Sequence, residues 1–135
     1  MLLSEIKNIL DCKTLTKNVF LEEDIKYCFA ADLMSDVLRY ARTGSLLLTG
    51  ITNVQVLQVS EILDLTGIIF VRGKIPEDAL IKQAESRHLP LLTTENLLFD
   101  SCGILYKNGL IGGKNRLEDS NSESKAEKSV LYKSV

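Results

Sequence analysis

Three times between Ser45 and Asn96 the chain repeats one phrase: a short apolar run, a few small or polar residues, then the start of an amphipathic helix. The copies read SLLLTGITN (45–53), GIIFVRGKIPED (67–78) and PLLTTEN (90–96). Each run is too apolar to leave a face in water, which is the pattern of parallel strands covered by helices on both sides. The expected fold is α/β, with a mostly parallel central sheet of about four to five strands and helices on both faces. In such a sheet the polar residues after every strand gather along one edge, where open α/β folds take their ligands.

The remaining elements follow from periodicity and punctuation. Ser4 is placed to cap a short helix carrying Ile6, Ile9 and Leu10. Residues 25–31 (IKYCFAA) read as a strand. A helix is expected over 33–42, with Leu33, Val37, Leu38 and Ala41 on one side and Gly44 as its stop. A helix over about 53–63 is apolar on two faces, so it is either deeply buried or shared with a partner. Pro76 opens the next helix, with Leu80 and Ala84 inward, and Thr93 or Thr94 caps the last one. There Leu98, Cys102 and Leu105 form one stripe and Phe99 and Tyr106 a second, which fits a dimer surface or a thick core. From Gly112 onward the composition turns to Gly, Lys, Asn, Ser and Glu. The expected division is a domain over 1–111 and a polar, flexible tail over 112–135.

Composition excludes several classes. No apolar stretch approaches the roughly 18 residues of a membrane span, and the first residues lack the pattern of a signal peptide, so a cytoplasmic protein without a membrane partner is expected. Net charge is −2, leaving about −3 on the part before Lys114, which opposes nucleic-acid binding. Cys12, Cys28 and Cys102 are widely spaced and without a C-x-x-C pair, and read as reduced, packed thiols rather than a zinc or disulfide set. No metal or cofactor is expected.

If the strands are parallel, Asp32, Thr49, Gly50, Thr52, Asn53, Arg72, Gly73, Lys74, Thr93 and Thr94 all lie at carboxyl ends of strands beside helix amino termini. Unpaired N–H groups and helix dipoles favour an anion there, Arg72 and Lys74 add charge, and Gly50 and Gly73 permit close approach. The competing reading is that these residues merely cap helices and turn corners. Asp32, Ser35 and Asp36 share one side of a helical turn, where they hold a ligand or cation, or only complement the helix dipole. His88 is the single histidine, at a helix end, and supports no catalytic set. Residues 109–115 (GLIGGKN) approach a P-loop but have three residues rather than four before Gly-Lys, no Ser or Thr after the lysine, and a helix rather than a strand before them.

The ordered blocks KYCFAADLMSDVLRYA, LLLTGITNVQVLQVSEI, IIFVRGKIPEDALIKQA and LPLLTTENLLFDSCGILY resemble the DRTGG domain, a small α/β module similar to the amino-terminal domain of HPr kinase/phosphorylase. The resemblance covers about residues 25–110, with residues 4–10 matching the opening of stand-alone members. The string that names the family is absent, and Val71-Arg72-Gly73 occupies the turn where relatives often carry Thr-Gly-Gly. The resemblance implies a regulatory or dimer-forming role, since such domains accompany nucleotide-sensing CBS modules. The serine-kinase label that some relatives carry is opposed by the missing phosphate cradle. The expectation is therefore a non-enzymatic regulatory or sensor domain, a homodimer, binding a small anionic ligand such as a nucleotide at the C-terminal edge of the sheet. The alternative is a protein-interaction or dimerisation adaptor for a partner enzyme; an enzyme using Asp32 and Asp36 with a metal is a third.

Overall fold

The computed structural model describes residues 1–113; the expected tail from residue 114 onward lies outside them. The order is α1 (Leu3–Ile9), β1 (Lys13–Thr14), β2 (Tyr27–Ala30), α2 (Met34–Tyr40), β3 (Leu46–Thr49), α3 (Gln55–Leu63), β4 (Gly67–Phe70), α4 (Asp78–Ser86), β5 (Leu91–Thr93), α5 (Leu98–Lys107) and β6 (Ile111–Gly112). The sheet runs β1-β5-β4-β3-β2-β6, all parallel except β1, which is antiparallel to β5. The expected α/β sheet with helices on both faces is present. Its sixth strand arises because both edges are two-residue strands, too short to show a period in sequence.

Every residue of β3, β4 and β5 is buried, and their alternation divides the interior in two. Leu47, Ile68, Phe70 and Leu91 face Val37, Val56, Leu57 and Leu80 of α2, α3 and α4. Leu46, Leu48, Ile69 and Leu92 face Leu3, Ile6 and Leu105 of α1 and α5. Burying each such side chain stabilises the fold by roughly 1.5–3 kcal/mol. Four of the expected helix boundaries move. Ser4 lies inside α1, whose first N–H groups donate instead to the carbonyls of Glu23 and Leu21, while Glu5 accepts from the Leu2 N–H. Pro76 precedes α4 by two residues, and Leu97 rather than Thr93 or Thr94 caps α5. Helix α2 stops at Tyr40, and Gly44, at φ +80, turns the chain toward β3.

The last described residues complete the sheet. Gly112 pairs with Cys28 and the Arg42 guanidinium donates to the Gly113 carbonyl. The described part of the near-match to a P-loop, residues 109–113, is a helix exit followed by an edge strand.

Burial pushes the thiols of Cys12 and Cys28 up to about 12 from their ordinary 9.0, with a nearby Asp11 and Cys102 respectively adding to the effect. Burial also raises Cys102. The folded state therefore disfavours the thiolate. The stability this confers is complete below pH 9 and is lost as pH rises from 9 toward 12, because the unfolded chain ionises first. Thermal melts between pH 8 and 10.5 are expected to fall more steeply for the wild type than for Cys28→Ala; parallel slopes would contradict a buried Cys28 thiol.

Candidate functional site

The register Thr49↔Phe70↔Thr93 brings three strand ends to one level, so the loops that follow share the C-terminal edge of the sheet. After β2, Asp32 reaches across to the next loop. Its carboxylate accepts the Gly50 N–H at 2.8 Å and the Thr49 hydroxyl at 3.1 Å, and the Thr49 oxygen in turn accepts the Ile51 N–H. Asp32 thus ties β2 to β3. Ser35 and Asp36 lie exposed on the seven-residue α2, and no hydrogen bond among the described residues connects them to this network.

After β4 the chain makes a type I′ turn, with Arg72 at φ +60, Gly73 at φ +67 and the Lys74 N–H donating to the Val71 carbonyl at 3.2 Å. Glycine holds such a backbone without strain, whereas a left-handed arginine costs on the order of 1 kcal/mol. The turn lays the Arg72 guanidinium on Gly50: a Cβ there would stand 3.0 Å from its central carbon. Only a glycine admits this stacking. Arg72 has no ion-pair partner among the described residues.

Adjacent strands β4 and β5 send their chains to opposite faces of the sheet, the arrangement that opens a binding crevice in open α/β folds. Here the crevice is closed. The Gly73 N–H donates to the Thr94 carbonyl and the Arg72 N–H to the Asn96 carbonyl, while the Glu95 carboxylate lies over Gly73, 2.7 Å from the position of a Cβ. The Thr93 hydroxyl donates to the Lys74 carbonyl and the buried Thr94 hydroxyl to that of Leu10. Both side chains hold loops together and have spent their donors. The Lys74 side chain is exposed.

Open space lies one strand over. A cavity of about 450 Å³ separates the loop before α3 from the segment entering α4, lined by Thr52 and Asn53 on one side and Ile75 and Glu77 on the other. The Asn53 carbonyl oxygen of the side chain accepts the Gln55 N–H, and the N–H groups of Thr52, Asn53 and Val54 have no acceptor among the described residues. The structure therefore lays Arg72 over Gly50, places Thr52 and Asn53 on the neighbouring cavity, and ties the backbone of Arg72 and Gly73 to the loop that carries Thr94. Glu77 and Glu95 gave no sequence signal beyond following Pro76 and the Thr93-Thr94 pair, and Ile75 none beyond preceding that proline.

A larger cavity, about 540 Å³, lies at the opposite edge, beside Asp64, Thr66, Arg87 and His88. Its arginine is already paired with Glu61 at 3.4 Å, and its position before the strands removes it from the helix amino termini. No cluster of three or more potential metal ligands occurs among the described residues, and no helix there is long and apolar enough to cross a membrane.

No protein-family model and no curated protein matches the chain. A solved structure does: the regulatory region of Clostridium perfringens pyrophosphatase, comprising its CBS and DRTGG domains in complex with the activator diadenosine tetraphosphate. The likeness has a TM-score of 0.59 at 17% identity and covers 76% of this chain but 45% of that one. It establishes a shared fold, consistent with a DRTGG-like module, over less than half of the other chain's length.

The two glycines of the edge should respond differently to a methyl group. Gly50→Ala is expected to leave the melting temperature almost unchanged, because the flexible Arg72 side chain moves aside, while shifting the Arg72 Nε–H resonance in a ¹⁵N spectrum. Gly73→Ala is expected to lose about 1 kcal/mol or more on urea denaturation, since it strains a left-handed backbone and meets Glu95.

Proposed function

We propose that this chain is a non-enzymatic regulatory or sensor domain that binds a small anionic ligand, a nucleotide, at the C-terminal edge of its sheet. The observation that carries the reading is Arg72, held over Gly50 by a left-handed turn and without a salt-bridge partner among the described residues. Beside it the first N–H groups of the loop into α3 are unspent, so a phosphate between them gains both a charge-assisted hydrogen bond and the positive end of a nine-residue helix. The fold shared with a regulatory region that binds diadenosine tetraphosphate supports the nucleotide class. Lys74 supplies a second cation at the margin. Thr49, Thr93, Thr94, Asp32 and Gly73 act in this reading by shaping the loops, with Ser35 and Asp36 at the periphery.

Calorimetry against ATP, AMP and diadenosine tetraphosphate tests it. Binding weakened about tenfold or more by Arg72→Ala is expected, the size of one charge-assisted hydrogen bond. Binding indifferent to that substitution, or none with any nucleotide, would overturn the reading.

A second reading, a dimerisation or interaction adaptor for a partner enzyme, draws on the outer face of α5. Phe99 is 86% and Tyr106 77% exposed, two turns apart on one side of the helix. A homodimer through this face predicts that sedimentation finds a dimer in the wild type and a monomer in Phe99→Glu. A monomeric wild type at high concentration would count against it.

A further inference from the structure

The cavity between the loop before α3 and the segment entering α4 is lined by apolar and polar side chains together. Its apolar part comes from two separate segments, Val54, 52% exposed, before α3 and Ile75, 59% exposed, before α4, with Leu80 of α4 also lining it. Exposed aliphatic side chains on two lips of one cavity offer apolar surface to a flat ring. Three side chains of different polarity share its lining. Glu77 occupies the cap position of α4 yet makes no side-chain hydrogen bond into its own helix, so its carboxylate is available as an acceptor. Asn53 has committed its oxygen to the Gln55 N–H, which leaves its amide NH₂ as a donor. Gln83, one turn into α4 from Leu80, supplies both.

An acceptor and a donor flanking apolar walls match the edge of a purine, where N–H donors and ring acceptors alternate around a planar body. The volume, about 450 Å³, falls within the range of small-ligand sites. Short stretches of chain join the lips of the cavity to the Arg72–Gly50 contact: Ile75 follows Arg72 by three residues, and Thr52 follows Gly50 by two.

Resting on the nucleotide reading above, we infer that the cavity between α3 and α4 is a purine slot, with Glu77 accepting from the base and Val54 and Ile75 packing on its faces. It makes the protein selective for a purine nucleotide over the bare phosphate chain.

The test compares GTP, ATP and inorganic tripolyphosphate by calorimetry on the full chain, wild type and Glu77→Gln. The expected result is that at least one purine nucleotide binds about tenfold more tightly than tripolyphosphate, and that Glu77→Gln removes this margin while leaving tripolyphosphate bound as well or better. Ile75→Ala should narrow the same margin without altering tripolyphosphate. If nucleotide and tripolyphosphate bind alike, the slot is wrong and the Arg72 anion site stands. If Glu77→Gln weakens both equally, or neither, Glu77 does not read the base and the inference falls. If none of the three binds, the anion site and the slot fail together.

Discussion

The alignment of β3, β4 and β5 is the constraint on which the rest of the molecule depends. Because both faces of these strands are out of water, a slip by one residue would exchange the side chains of the two interiors, placing Phe70 and Leu47 where Ile69 and Leu48 belong. The packing therefore enforces the register, and the register sets the height at which each loop leaves the sheet. Gly50, Val71 and Thr94 start from the same level for this reason, and Arg72 follows one residue beyond it. The stacking of a guanidinium on a glycine two strands' worth of sequence away follows from the hydrophobic interior rather than from any attraction between the two residues.

The edge so formed is economical with its polar groups. Asp32 consumes the Gly50 N–H and the Thr49 hydroxyl, and Thr93 and Thr94 are occupied by carbonyl oxygens of Lys74 and Leu10. These bonds join loop to loop and keep buried hydroxyls satisfied, which matters because an unpaired buried polar group costs about 1–3 kcal/mol. What remains outward is asymmetric: a cation and free N–H groups beside the α3 loop, a carboxylate over Gly73 on the β5 side.

Much of this was readable in the chain. The uninterrupted apolar runs at 46–49, 67–70 and 91–93 identify interior parallel strands, and from them the common edge follows. The misplacements share a cause. Ser4 and Thr94 are good capping residues by type, but tertiary partners took over: the carbonyls of Leu21 and Glu23 satisfy α1, and the Leu10 carbonyl claims Thr94. Arg72 reads as the end of a strand, since nothing local announces that an arginine will adopt a left-handed turn. Glu95 and Glu77 acquire their positions from how two loops fold against each other, a relation that no spacing along one segment encodes.

The two-residue strands at the margins carry a consequence of their own. A parallel sheet of buried, apolar strands would be an adhesive template wherever its border lay open, ready to recruit a further chain by backbone pairing. Here Lys13–Thr14 covers one border and Ile111–Gly112 the other, each too brief to guide an incoming segment into alignment. Neither border thereby offers a long run of unpaired backbone for a further chain to extend.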